Sequence, residues 1–441
     1  MKNRLLKYAT ALFTALLLMT TSCEEWIDPE INIDPDAVSE VPLSLLLSSI
    51  QGDIGYYIGD FDFAGTSGMW MNQVSGAARQ AQIIGNYTFN ESDVNNGWTS
   101  FYDEMMMDIY LLDQQAGDEN PHFKGVGQVL MALSLGVATD LWNDIPYSEA
   151  FKGDEGVLQP AFDSQESIYQ TIDLLLGEAV TNLGTDPLDN AFPLEGDMIY
   201  GGDTDLWAKA ANALRARYQI HLSKRGLTNW DNVLTYCSNG FESNADELVF
   251  LFGSTESFSN PLYQFDTQRG DCEISNSWTQ RLADDPRLEP TTTGSTFGML
   301  GVINAPVPLM TYAEQKFIEA EAHLRKGSAD QAAADAAYQA GVLASLEFYG
   351  VAGVDTDWET ANITNMTGVT LQDISEAKYI HLFMQVEAFA EWRRTGYPDL
   401  SPTTGSQIPR RFPYATSERE RNADNVPTGY TIFSRVWWDA E

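Results

Sequence analysis

Basic residues are scarce in this sequence. The 441 residues include 25 Lys and Arg against 63 Asp and Glu, which gives a net charge of −38. A surface of that sign repels nucleic acids and anionic lipid headgroups, because their phosphates are bound mainly through Lys and Arg. The composition therefore excludes nucleic-acid binding as a main function and favours a protein that stays soluble in saline surroundings.

Cysteine and histidine are also rare. The chain has three Cys and four His, and none of them forms a CxxC or HExxH pattern. Because zinc sites are usually built from such closely spaced ligands, no zinc centre is expected. Cys237 and Cys272 could pair as a disulfide or remain as buried thiols, and the sequence leaves both alternatives open.

Recognisable catalytic loops are missing as well. The sequence has no GxSxG, no Walker A loop and no GxGxxG after a strand, the patterns typical of α/β-hydrolases, P-loop NTPases and dinucleotide-binding enzymes. A glycosidase needs only two facing carboxylates, so that alternative stays open. No acidic pair stands out, and we predict a non-enzymatic protein without a metal or cofactor.

Long hydrophobic runs are absent beyond the N-terminus. Residues 1–22 combine a basic start, 12 mostly apolar residues from Tyr8 to Met19, and small residues before Cys23. This run is shorter than the roughly 20 residues of a membrane-spanning helix and has the form of a secretory signal. We predict lipidation of Cys23 directly after the cleavage point; the alternative is an ordinary signal peptide with a chance Cys.

The segment after Cys23 is rich in proline and acidic residues. Residues 23–42 contain Pro29, Pro35 and Pro42, so we predict an extended tether between the lipid and the folded body. No Gly/Ser-rich or charged linker interrupts the remainder. Residues 43–441 are therefore predicted to form a single domain.

The body has the apolar period of 3.6 residues that is typical of helices. Helices are predicted at 126–142, 164–183, 203–225, 311–326, 330–346 and 373–395. Asp163 is the expected N-cap of the second. The pair joined at Gly327 is similar to a tetratricopeptide unit, which must stack on further helix pairs. The intervening segments are predicted to be loop-rich, at 51–100, 185–202, 240–310 and 350–370. The C-terminal stretch 397–441 is expected to wrap the body as ordered coil.

Two clusters are best interpreted as structural. Asp140–Tyr147 ends a helix at a proline-fixed corner, where Asp144 could accept backbone N–H groups. Arg393, Arg394, Arg410 and Arg411 gather in a chain that has few cations, which indicates internal ion pairs or carbonyl capping. An anion site is the alternative for these arginines.

A third cluster is the stretch Trp70-Met71-Asn72-Gln73. An exposed indole beside side-chain amides would suit sugars or peptide backbones. Burial of Trp70 in the core is an equal alternative.

Several blocks in one order resemble the SusD/RagB family of nutrient-binding outer-membrane lipoproteins of Bacteroidetes. Besides Cys23 and its acidic tether, they are ATDLWNDIPYSEAF at 138–151, DSQESIYQTI at 163–172, MIYGGDTDLWAKAANALRAR at 198–217, YAEQKFIEAEAHLRKG at 312–327, EWRRTGYPDL at 391–400 and RRFPYATSERERN at 410–422. Any single block would be unspecific. Together they span nearly the whole mature chain.

This resemblance implies a mainly α, SusD-like fold of tetratricopeptide-like helix pairs with a loop-rich lobe. It also implies a partner, a TonB-dependent SusC-like transporter that would receive an oligosaccharide or oligopeptide from this protein. Glu24-Glu25 resemble the acidic signal for the outer face of the outer membrane. By the same resemblance, Trp70, Asn72 and Trp278 are the candidate ligand-binding residues.

Overall fold

Helices dominate the part of the chain that the structure describes. The computed structural model describes residues 41–441, so the predicted signal peptide, Cys23 and most of the tether lie outside the described residues. The α-helices are α1 Leu43–Ile58, α2 Thr66–Trp70, α3 Arg79–Gly85, α4 Asn95–Thr99, α5 Met107–Ala116, α6 Pro121–Trp142, α7 Gln165–Leu183, α8 Thr204–His221, α9 Trp230–Ser238, α10 Pro261–Arg269, α11 Asn276–Arg281, α12 Leu288–Thr292, α13 Tyr312–Arg325, α14 Gln331–Phe348, α15 Thr356–Glu359, α16 Leu371–His381, α17 Glu387–Thr395 and α18 Thr416–Arg421.

Short π and 3₁₀ turns extend or connect these helices. The π turns are Phe61–Gly65, Ser100–Met106 and Thr360–Thr364, and the 3₁₀ turns are Pro187–Asp189, Leu222–Arg225, Asn244–Asp246, Glu256–Phe258 and Gly298–Gly301. The turn Ser100–Met106 runs directly from α4 into α5, so one continuous helical rod carries residues 95–116.

The long helices pack on their sequence neighbours as tetratricopeptide-like pairs. Helix α6 lies against α7, α7 against α8, and α13 against α14, with α9 between α8 and α13. A Cβ on Gly136 of α6 would lie 2.2 Å from Cζ of Tyr218, so α6 and α8 meet closely at a position that only glycine allows. Residues 43–441 form one compact unit, and the mainly α prediction is confirmed.

Helix α6 forms the centre of this packing. By length and composition it could cross a membrane, but 94% of its most apolar window is buried inside the protein. Its apolar stripe, which includes Val126, Leu130, Leu133 and Leu141, is buried as the sequence periodicity predicts.

Strands are few and lie in the region predicted as loop-rich. They are β1 Val74–Gly76, β2 Leu248–Leu251, β3 Cys272–Ile274 and β4 Pro306–Met310. β1 pairs antiparallel with β3, and β2 pairs antiparallel with β4. The ranges 51–100 and 240–310 therefore include more regular structure than predicted.

Two helix boundaries differ from the prediction. The N-cap of α7 is Ser164, whose Oγ accepts a hydrogen bond from Ser167 N, whereas the Asp163 carboxylate accepts bonds from the N–H groups of Tyr147 and Ser148. Asp163 thus stabilises the preceding turn at Tyr147 and Ser148 and is not the N-cap of α7.

The predicted helix 373–395 is broken into α16 and α17. Met384 lies between them with φ 54°, in the left-handed region that a bulky residue rarely adopts. The buried amide of Gln73 holds this bend, because its Oε1 accepts from Met384 N at 2.8 Å and its Nε2 donates to Leu382 O at 3.3 Å. A distant residue therefore ends the helix, and no local signal does so.

A buried ionic network ties the helices together. His221 of α8 lies 3.1 Å from the Asp140 carboxylate of α6 and 2.9 Å from the Glu387 carboxylate of α17. Arg217 of the same helix pairs with Glu314 of α13. Burial opposes the charged imidazole, but the two carboxylates outweigh it and raise the pKa of His221 to about 9. The buried His221 therefore carries its extra proton at neutral pH.

Candidate functional site

The two tryptophans predicted to bind ligand lie in the core. Trp70 and Trp278 are both 0% exposed. Trp70 Nε1 donates to Ile84 O at 3.2 Å, and Trp278 Nε1 donates to Thr291 Oγ1 at 3.0 Å. With their faces covered and their N–H groups used, neither ring can stack on a ligand in this structure. The alternative interpretation, burial of Trp70, is the one that the structure shows.

Asn72 is half-buried and already bonded. Its Nδ2 donates to Ser401 O at 2.8 Å, and its backbone has φ 57°, which Asn tolerates better than most residues. The side chain fastens the segment after α17 to the turn after α2. The three residues Trp70, Asn72 and Trp278 therefore do not form one exposed site.

The corner at Asp140–Tyr147 is structural, as predicted. Asp144 Oδ1 accepts hydrogen bonds from Gln165 N at 2.8 Å and from Asn143 Nδ2 at 2.9 Å. Asn143 has φ 78° and ends helix α6. The carboxylate thus joins the end of α6 to the start of α7.

The clustered arginines act inside the protein, as predicted. Arg394 pairs with Glu321 and Glu391, and Arg410 Nε lies 2.6 Å from Oδ2 of Asp439.

Arg393 donates to Asp140 O at 2.6 Å and to Arg410 O at 2.9 Å. Arg411 donates to the carbonyl of Trp142. Since these side chains are occupied by internal carboxylates and carbonyls, the anion-site alternative has no support.

A surface cleft of about 330 Å³ lies beside the helical rod 95–116. We call it the first cleft. Its walls come from the rod, from the loop after α6 and from helix α18, and include Trp98, Thr99, Tyr102, Asp103, Met107, Pro146, Phe151, Ser417, Glu418 and Arg421. Aromatic faces with a few charged groups at the edge are typical of small-molecule sites.

Tyr102 gives this cleft a fixed aromatic wall. Its hydroxyl donates to Pro146 O at 2.9 Å, and its ring lies 4.9 Å from the Trp98 ring and 6.2 Å from the Phe151 ring. Burial raises the pKa of Tyr102 well above its usual value, so the hydroxyl stays protonated. This bond holds the hydroxyl end of the ring against the loop after α6, so the ring has a defined position at the cleft.

Phe151 adopts a strained backbone at the edge of the first cleft. Its φ is 64°, which costs a bulky residue on the order of 1–3 kcal/mol. The side chain is half-buried and contacts the Tyr102 ring. Strained residues of this kind are concentrated at functional sites, and the surrounding structure must hold them in place.

Charged side chains border the first cleft on the solvent side. Asp103 and Arg421 are exposed and Glu418 is half-buried. They can orient polar groups of a ligand, while the aromatic rings cover its apolar faces. Within residues 41–441, no group of three or more His, Cys, Asp or Glu side chains is arranged to hold a metal ion.

A second, internal cavity is too small to be the ligand-binding site. Its volume is about 30 Å³, and its walls include Asp140, Arg217 and Glu387. That space suits one ordered water among polar groups, not a nutrient.

The first cleft was not among the sites predicted from the sequence, although part of it has a sequence signal. Trp98 and Tyr102 stand four residues apart and so share one face of the helical rod. Phe151 ends the block at 138–151, which entered the family resemblance and whose residues 140–147 were interpreted as a structural corner. The sequence did not indicate that helix α18, more than 300 residues after Trp98, would pack beside the rod and complete the cleft.

Comparisons with known proteins agree with this architecture. The family model described as SusD-like, "Starch-binding associating with outer membrane", matches residues 35–298 and 291–415. A comparison with curated proteins found no match.

Solved structures show the same fold. A SusD/RagB family protein from Bacteroides thetaiotaomicron aligns with a TM-score of 0.77 and 22% identity, over 91% of this chain and 99% of that one. A chitin-binding SusD homologue from Flavobacterium johnsoniae aligns with a TM-score of 0.75 and 21% identity, over 90% and 98%. A SusD homologue from Bacteroides fragilis gives 0.74 and 22%, over 91% and 100%. Since the family model covers most of the sequence, this chain belongs to the SusD-like family.

Proposed function

We propose that this protein is a cell-surface nutrient-binding lipoprotein that captures oligosaccharides in the first cleft and delivers them to a TonB-dependent SusC-like transporter. The observation that carries the proposal is the pair of half-buried rings of Tyr102 and Phe151, packed in front of the buried Trp98 ring, with charged groups at the edge of the cleft. Sugar rings have apolar faces and polar edges, and this arrangement complements both. The family description and the chitin-binding homologue support the same ligand class.

In this proposal the protein binds its ligand and does not catalyse a reaction on it. The lipid on Cys23 holds it at the outer membrane, the tether 23–42 lets the body move, and the transporter removes the ligand. The acidic surface favours uncharged glycans over acidic ones.

Two alternative functions predict different results in a binding experiment. An oligopeptide would use the same aromatic faces and polar edge groups, and a surface glycosidase would cleave what it binds.

Calorimetry of the mature protein with a panel of uncharged glycans tests the proposal. We expect binding to at least one glycan, and loss of most of that affinity in Tyr102→Ala. Phe258→Ala is the matched control, since Phe258 is 36% exposed, packs against Phe250 of β2 and does not line the first cleft. Binding to a protein digest but to no glycan would favour the peptide alternative, and new reducing ends during incubation would favour the glycosidase.

A further inference from the structure

A second cleft of about 260 Å³ lies among helices α5, α6 and α7, and it shares no lining residue with the first cleft. The glycan capture proposed for the first cleft does not use it. Its volume is slightly below the range of about 300–1,000 Å³ that is typical of small-molecule sites. The occupant of this second cleft is therefore expected to be a small molecule and not a polymer.

Polar and apolar groups line different ends of the second cleft. Lys124 and Met131 line it from one face of α6 and are seven residues apart, about two helical turns and about 10 Å along the axis. Helix α5 is joined to α6 through residues 117–120; Asp113 stands four residues before this turn and Lys124 four residues after it. Ile109 and Met131 stand further from the turn on both helices. The cleft therefore has a charged end beside the turn and an apolar end away from it.

The charged end contains groups of both signs. Lys124 Nζ lies 3.4 Å from Oδ1 of Asp118, whose side chain is fully exposed, so this ion pair is weak. Asp113 is half-buried, and within residues 41–441 its carboxylate has no hydrogen-bond or ion-pair partner. Burial raises the pKa of Asp113, and the charge of Lys124 partly offsets this effect. A partly desolvated carboxylate without a partner gains from a cationic ligand group.

A second carboxylate and a phenol lie near the same end. Gln128 is 4% exposed, and its Nε2 donates to Oε2 of Glu178 at 3.0 Å, which holds this carboxylate at the cleft. Tyr147 is half-buried, and among the described residues its hydroxyl has no hydrogen-bond partner. Burial and the nearby carboxylates, Asp113 and Glu178 among them, raise the pKa of Tyr147 to about 12. The Tyr147 hydroxyl therefore remains a neutral hydrogen-bond donor.

We propose that the second cleft binds a small zwitterion that has an α-amino acid head and an apolar side chain, such as leucine or methionine. The ammonium group of the ligand pairs with Asp113 and Glu178. Its carboxylate accepts from Lys124 Nζ and the Tyr147 hydroxyl, and its side chain lies at the apolar end beside Met131. A head with both charges satisfies both signs of the charged end, which a simple amine or a simple acid cannot do. The inference is independent of glycan capture in the first cleft.

Calorimetry of the mature protein with leucine and three matched analogues tests this inference. Isoamylamine lacks the carboxylate of leucine, isocaproate lacks its ammonium group, and glycine lacks its apolar side chain. We expect leucine to bind, and each analogue to bind at least about tenfold more weakly.

Two variants test the charged end. Asp113→Asn and Lys124→Met should each weaken leucine binding by about tenfold. Because the Asp113 carboxylate has no partner, Asp113→Asn should fold normally and unfold at the same or a higher temperature. Glu166→Gln is the matched control, since it removes one negative charge from an exposed position of α7, 12 residues before Glu178. It should leave the Kd for leucine unchanged.

Three results would contradict the inference. Isoamylamine that binds as tightly as leucine, together with tighter binding in Lys124→Met, would show an ammonium site and overturn the zwitterion. A leucine affinity unchanged in Asp113→Asn would place the ligand elsewhere. Absence of binding by leucine and methionine up to about 10 mM would overturn the site altogether, and glycan capture in the first cleft would still stand.

Discussion

Nε2 of His221 lies 2.9 Å from Oε1 of Glu387 in the core, where the imidazole is 0% exposed. Nδ1 of the same ring lies 3.1 Å from Oδ2 of Asp140. A buried imidazole with a carboxylate at each nitrogen holds its proton far more tightly than an unfolded chain does. Three helices, α6, α8 and α17, therefore meet at one positive charge.

This arrangement predicts a pH dependence of stability. The pKa of His221 is raised from 6.5 to about 9 on folding, so its stabilising contribution is complete below pH 6.5 and is lost as the pH rises through 9. That contribution is on the order of 3 kcal/mol. We expect the free energy of unfolding to decline across this window in denaturant titrations, and the decline to be smaller in His221→Gln, where Glu247, whose pKa is raised by burial to about 8, still contributes to it.

A direct measurement accompanies this prediction. NMR should show one imidazole titrating near pH 9. His381 is an internal reference, because burial and the nearby Arg287 and Lys378 lower its pKa to about 3 and keep it neutral. A His221 resonance that titrates near pH 6.5 would contradict the assignment.

The C-terminal segment should contribute strongly to stability. Trp438 is fully buried, and its Nε1 donates to Asp140 Oδ1 at 2.6 Å. Trp438→Ala should destabilise the protein by about 3–5 kcal/mol, and Trp438→Phe by about 1–2 kcal/mol through the lost hydrogen bond. Trp437→Ala is the control, since its neighbouring ring is only half-buried. Equal midpoints for both alanine variants in urea would argue against this role.

The two cysteines of the described chain should be unreactive until the protein unfolds. Both are free and buried, and burial raises the pKa of Cys272 to about 12 and that of Cys237 further above its usual value. Protein lacking residues 1–23 should react slowly with a thiol reagent when native and rapidly at both thiols in denaturant. Fast reaction of the native protein would show that a thiol is accessible.

Ligand binding should depend little on salt. If the ligand is uncharged, no ion pairs form across the interface, and raising the salt from low to physiological concentration should change Kd by less than about twofold. Polyanionic glycans should bind only weakly, and less weakly as salt increases. Strong binding of a polyanion at low salt would contradict the ligand class that we propose.

Membrane attachment should depend on Cys23. Cys23→Ala should release the protein from the membrane fraction, and the released protein should keep the wild-type affinity for its glycan in calorimetry. Uptake of that glycan by cells should fall. Retention of the variant in membranes that lack the transporter would contradict lipidation at this residue.

The sequence predicted those helices whose apolar residues recur at the helical period. Helices α6, α8, α13 and α14 have an apolar stripe at the helical period, and each was predicted within a few residues of its bounds. Helix α1 was not predicted, because Gly52 and Gly55 interrupt its apolar pattern; a Cβ on Gly55 would lie 2.4 Å from the Phe250 ring. The glycine at this position leaves room for the Phe250 ring, which belongs to a part of the sequence almost 200 residues away.

Long-range contacts explain the remaining differences. The bend between α16 and α17 depends on Gln73, about 300 residues earlier in the chain, and no window of sequence contains both partners. The candidate site also depends on contacts between residues that are far apart in sequence. Tyr102 and Phe151 could be marked as aromatic, but only the folded chain shows that they meet, and only it shows that Trp70 and Trp278 turn inward.

Trp438 and Asp439 join three parts of the protein that are far apart in sequence. Asp439 lies 2.6 Å from both Lys224 Nζ and Arg410 Nε, and Trp438 Nε1 donates to Asp140 Oδ1 of α6. A protease cut that removes these two residues would therefore break contacts to α6, to the turn after α8 and to the segment after α17 at the same time.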